Sequence, residues 1–161
     1  MIGTSKNGIA VYAHPESHSH RPDLNKEVIS KISLPENGSF HRETVNLGRV
    51  IGVDHLVETS AENKIVMFQR GNRPGLSRMV IDKSPDETSL VTVVLCVATD
   101  PDELAGKWVL VTLFEGNPGE REPFDQSLTE EGKAKSEAFW AFHALVPTEE
   151  ELAQMKEAGL V

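Results

Sequence analysis

An α+β domain is predicted: a mainly antiparallel sheet of four to six strands, laid out as a meander, with helices packed on it. Three features predict it. Between Lys64 and Gly116, four strand-like apolar runs alternate with segments of turn chemistry. The connections between those runs hold five to about nine residues, which suits antiparallel neighbours and is too short for helical crossovers. Helix start signals stand outside this region, at Pro22–Asp23, at Thr129 and at Thr148.

The elements follow in order. GIAVYA (8–13) is a short strand, and HPESHSHRP is a polar loop. A helix runs from Asp23 to about Ile32, and PENG (35–38) is a turn. Phe40 to Leu47 and Val50 to Val57 are β-like and broken by Gly48 and Gly52. KIVMFQR (64–70) and LSRMVID (76–82) flank the turn GNRPG. KSPDE then leads to TSLVTVVLCVA (88–98), and the loop DPDELAGK (100–107) leads to WVLVTLFEG (108–116). The last two runs are apolar enough for central strands, whereas the mixed polarity of 64–70 places it near an edge. After the irregular GNPGEREPFD, Thr129 caps a helix running through AKSEAFWAFHAL, on which Phe139, Trp140, Phe142 and Leu145 form one buried stripe. Thr148 and Glu151 form a capping box for a last helix that stops at Gly159.

The chain of 161 residues suits a single globular domain spanning 1–161, and no linker, repeat or low-complexity tract divides it. No apolar run is long enough to span a bilayer, and MIGTSKNG lacks a secretion-signal pattern, so a cytoplasmic protein with no membrane partner is expected. The lone Cys96, within an apolar run, excludes an internal disulfide and reads as a buried, inert thiol. The formal net charge of −9 is uneven: residues 41–83 carry seven Lys/Arg against five Asp/Glu, residues 115–161 four against eleven. An extended nucleic-acid surface needs many phosphate contacts, which this balance disfavours, but a small anion pocket remains compatible with it.

The basic middle contains MFQRGNRPGLSRMV, with Arg70, Arg73 and Arg78 inside nine positions. If GNRPG closes a hairpin, Arg70 faces Leu76, Phe68 faces Arg78, and these four positions share one face of the sheet. Neighbouring guanidinium groups need an anion between them. Glu58 and Asp82 are carboxylate candidates for an internal salt bridge, and an RNA or other phosphate-bearing ligand is the alternative.

The stretches GRVIGVDHLVET, IVMFQRGNR, LSRMV, TSLVTVVL, WVLVTLFEGNPGEREPFD and FWAFHALV resemble a family of small bacterial proteins of uncharacterised activity, over most of residues 48–146. More remotely, the chain is similar to RelE-like and barnase-like ribonuclease toxins. In those, helices pack on an antiparallel sheet, a histidine precedes basic strands, and a Val-Thr strand closes the sheet; His55, Arg70, Arg78 and Thr112 match that order. That resemblance implies metal-independent RNA cleavage. His55 would be the acid or base, Arg70 and Arg78 the phosphate clamps, Arg73 and Thr112 substrate contacts, and His41 a substitute for His55. Histidine suits proton transfer near neutrality, and arginines stabilise developing negative charge.

Elsewhere, His14, His18 and His20 offer three imidazoles within seven residues, a possible Zn²⁺ site that Pro15 keeps from being helical. No phosphate-binding glycine loop, nucleophile elbow or His-Glu-x-x-His motif is present, and no cofactor is expected. Three functions therefore stay open. They are a metal-independent ribonuclease on His55, Arg70 and Arg78, a non-catalytic domain whose acidic C-terminal helical face binds a basic protein, and a metal-binding protein on the three histidines.

Overall fold

A computed structural model describes residues 1–99 and 103–161. The fold is α+β with mostly antiparallel strands. The chain forms two compact units, Met1–Val53 with Glu87–Asn117, and Asp54–Asp86 with Pro118–Val161.

The first unit is built on a six-stranded sheet. Its centre is the hairpin of β10 (Leu90–Val97) and β11 (Trp108–Glu115), the two most apolar runs of the chain. β4 (Phe40–Asn46) pairs antiparallel with β10. β2 (Ala10–Tyr12) and β3 (His18–Ser19) both lie parallel on β11, and β1 (Gly3–Thr4) extends the sheet beyond β2. The register shifts by one residue between Val94 and Leu95, where Val111 is left opposite neither. That bulge changes which side of β11 faces inward, so Leu110 and Leu113 are both buried while Val111 is exposed. Helix α1 (Asn25–Ser30) buries Val28 and Ile29 in a core with Val91, Val93, Leu95 and Trp108. β5 (Gly52–Asp54) and β9 (Asp86–Thr88) pair with each other where the chain leaves this unit and returns to it.

The second unit has a four-stranded sheet in the order β6 (Leu56–Glu58), β12 (His143–Leu145), β8 (Ser77–Val80), β7 (Ile65–Phe68). β7 is an edge strand, as its polarity predicts. One face buries Val57, Val80, Ala144 and Val146 with Ile65 against them. Helix α2 (Glu130–Trp140) is capped by the Thr129 hydroxyl, which accepts from the Gly132 N–H. Helix α3 (Glu149–Glu157) carries the full capping box of Thr148 and Glu151, and the chain turns away at Gly159 with φ +74°.

Several expectations need correction. The four strands from 64 to 116 do not continue as one meander, because the β7–β8 hairpin and the β10–β11 hairpin belong to different sheets. The run 88–98 divides into the end of β9 and the separate strand β10. The helix from Thr129 ends at Trp140, and FHAL supplies β12 instead. Hydrogen bonding to neighbours on both sides, β6 and β8, outweighs the local helical pattern there. Phe142 therefore leaves the expected buried stripe and is 66% exposed, while Trp140 is buried. Cys96 is only partly buried. Of the loop expected at 100–107, residues 100–102 lie outside the described residues, and the remainder forms turns. Among the described residues no helix is long and apolar enough to cross a membrane.

Candidate functional site

The second unit carries a half-open cavity of about 310 Å³, lined by Met67, Leu76, Arg78, Glu122, Phe124 and Trp140 among others. Its floor comes from the β7–β8 hairpin. Met67 pairs with Arg78, so both project from the same face, and Leu76 follows two residues before Arg78. The opposite wall is the segment 120–124, which α2 holds in place. The buried Ser136 hydroxyl donates to the Arg121 carbonyl at 2.5 Å, and the Trp140 indole N–H reaches the Glu120 and Arg121 carbonyls at 3.2 and 3.3 Å. Gly75 allows the approach, since a Cβ there would overlap the Phe124 ring.

Two polar atoms of these lining residues are unsatisfied. Arg78 Nε is shielded from solvent and has no hydrogen-bond partner, and the same is true of Glu122 Oε1. The Arg78 guanidinium makes one long bond, from Nη2 to Thr59 Oγ1 at 3.4 Å, and no ion pair with any described carboxylate. Glu122 meets the exposed Arg73 guanidinium through Oε2 at 3.4 Å, leaving Oε1 as a free acceptor. A buried donor or acceptor without a partner costs about 1–3 kcal/mol, so such atoms are rare and call for an explanation.

The other sequence candidates take different places. The hairpin register sets Phe68 opposite Ser77 and Met67 opposite Arg78, one residue off the expected pairing, and β7 ends before Arg70. Arg70 and Arg78 are thus not diagonal neighbours on one face. Arg70 Nε donates instead to Glu151 Oε2 at 2.7 Å. Glu151 also closes the α3 capping box, so this arginine is bound into the structure by a carboxylate other than Glu58 or Asp82. Burial works to raise the Glu151 carboxyl, but the Thr148 backbone N–H and the Arg70 guanidinium outweigh it and hold the group below its ordinary value.

His55 extends the β6–β12 ladder. Its carbonyl accepts from the Val146 N–H at 2.7 Å, and its ring Nδ1 lies 2.8 Å from the Val146 carbonyl. A carbonyl only accepts, so Nδ1 carries the proton and Nε2 is the basic nitrogen of the neutral ring. His55 and Arg78 share a sheet face, but Ala144 and Val146 of the intervening β12 lie between them. Strand spacing puts their Cα atoms roughly 12 Å apart. No hydrogen bond joins His55 to any of the three arginines.

His41 and Thr112 belong to the first unit. His41 pairs with Leu95, whose side chain is in the core, and its Nε2 lies 2.9 Å from Glu43 Oε1. Thr112 pairs with Val94 and therefore points to the other face of that sheet. The structure does not bring these two together. His14 Nδ1 accepts from the Glu16 N–H, and His18 and His20 stack edge to face with centroids 4.5 Å apart. Among the described residues no group of three or more His, Cys, Asp or Glu side chains is placed to hold a metal ion.

Glu122, Phe124 and Trp140 are cavity residues that sequence reasoning did not find. The irregular GNPGEREPFD (116–125) reads as a loop, and nothing local to it shows that one carboxylate oxygen becomes buried. Comparison with known proteins gives no match to a family model, to a curated protein or to a solved structure.

Proposed function

We propose that this chain works without catalysis, as a binding domain for a protein partner, and that it binds through the second unit. The observation that carries this is the pair of unsatisfied polar atoms, Arg78 Nε and Glu122 Oε1, on residues lining one cavity. A ligand that supplies an acceptor and a donor would offset the cost of leaving them unpaired. The cavity rim adds exposed apolar surface, with Met67 49% and Leu76 54% exposed. The second unit holds nine Lys/Arg against fifteen Asp/Glu, a formal net charge of −6, which favours a basic partner and speeds its approach.

A ribonuclease has one observation in its favour. The Val146 carbonyl fixes the His55 ring so that Nε2 is the basic nitrogen, as a general base requires. Against it, Arg70 is neutralised by Glu151, and the buried Ala144 and Val146 separate His55 from Arg78. The test is incubation with end-labelled total RNA in the presence of EDTA, beside His55→Ala and Arg78→Ala chains. RNA intact in every lane is the expected result. Cleavage by the parent, lost in both variants while circular dichroism shows them folded, would replace the binding domain with a metal-independent ribonuclease.

A further inference from the structure

The cavity also indicates what it binds. Its volume of about 310 Å³ is at the small end of ligand pockets, which run from about 300 to 1,000 Å³, and leaves room for one large side chain with its peptide group. Met67, Leu76, Phe124 and Trp140 make its lining largely apolar. The unsatisfied atoms on its lining residues number one donor and one acceptor, the complement of a single residue's C=O and N–H. Glu137, exposed on the wall, adds negative charge at the mouth, in a unit that is itself net negative. The exposed Met67 and Leu76 continue the apolar wall outward, so the binding surface extends past the cavity as it does around an anchor residue in a protein interface.

We infer that the cavity takes one large apolar side chain, Phe, Trp or Leu, from an extended and basic segment of a partner protein. The C=O of that residue accepts from Arg78, and its N–H donates to Glu122. The inference rests on the protein-binding function proposed above and specifies its ligand. Arg78 Nε and Glu122 Oε1 are both shielded in the free chain, so side chains at the rim turn aside on binding. Such rotamer changes are common at interfaces, and the exposed Met67 and Leu76 have the freedom for one.

The test is selection of a displayed library of random dodecapeptides on the intact chain, with counter-selection on the bare support, after which the enriched peptides are titrated against the parent and Leu76→Glu. Leu76 is exposed, so this variant keeps the fold, which circular dichroism checks; Arg78→Ala serves as a second variant. Enriched peptides are expected to share a Phe, Trp or Leu flanked by Lys or Arg. They should bind both variants at least tenfold more weakly, and methylation of the anchor's amide nitrogen should weaken binding about tenfold. Peptides that bind the parent and both variants equally would overturn the inference and leave a binding domain with its site elsewhere. Displacement of the peptides by free phenylalanine alone, at equal concentration, would overturn it in favour of a small-molecule pocket. No enrichment over the bare support would overturn both the inference and the binding function.

Discussion

Arg70 and Arg78 lie eight positions apart and do opposite things. Arg70 is part of the structure: its guanidinium meets a carboxylate that also caps a helix. Replacing it with alanine should cost about 1 kcal/mol, measured by chemical denaturation, because Glu151 keeps its cap but loses its cation. The same pair sets a pH dependence. The Glu151 carboxyl sits lower in the folded chain than in the unfolded one, so its contribution is complete above the ordinary Glu range. It is lost as pH falls below about 4 and through the lower folded value. The parent should therefore lose stability over that acid range, and Arg70→Ala should lose less, so that their denaturant midpoints converge as pH is lowered from about 6 to about 3. Arg78 has no such carboxylate, and its Nε is unsatisfied. The sequence presents both as members of one basic hairpin, because spacing alone does not reveal a one-residue change of register or a partner 81 residues away. A slip of one moves every side chain to the other face, and here it separates Arg78 from Phe68.

Elements with local causes were legible. The Thr148–Glu151 box is read from four residues and forms as read, with Thr148 Oγ1 accepting from the Glu151 N–H at 3.1 Å. Thr148→Ala should therefore cost about 1 kcal/mol, seen as a lowered denaturation midpoint. β10 and β11 declare themselves as central strands by continuous apolar runs. β12 does not, since its three residues follow a helix and owe their extended form to β6 and β8. Gly52 interrupts a β-like run for a reason also invisible locally. A Cβ there would overlap the Glu115 carboxylate, which accepts from Arg21 Nη1 at 2.7 Å and from the Val53 N–H at 3.1 Å. Gly52→Ala should displace that carboxylate from Arg21 and the Val53 N–H and destabilise the first unit by about 1 kcal/mol, read from the loss of its Trp108 signal during denaturation.

For the whole molecule, composition describes a single acidic chain, whereas the structure has two units, each assembled from two stretches of sequence. Such interleaving leaves no linker to be found, because the chain passes between units through short strands, not through a polar spacer. The acidic excess is not shared evenly, and the larger part falls on the unit that holds the cavity. The proposed partner site is where negative charge, apolar rim and unsatisfied atoms coincide. The most direct test of that site is an NMR titration of the isotope-labelled chain with a peptide from the selection, following the Met67 methyl, the Leu76 methyls and the Trp140 indole N–H. Shifts that saturate together at these groups, with the His41, His55 and Thr112 signals unmoved, are the predicted result. Saturating shifts at His41, His55 or Thr112, with the cavity groups silent, would contradict it.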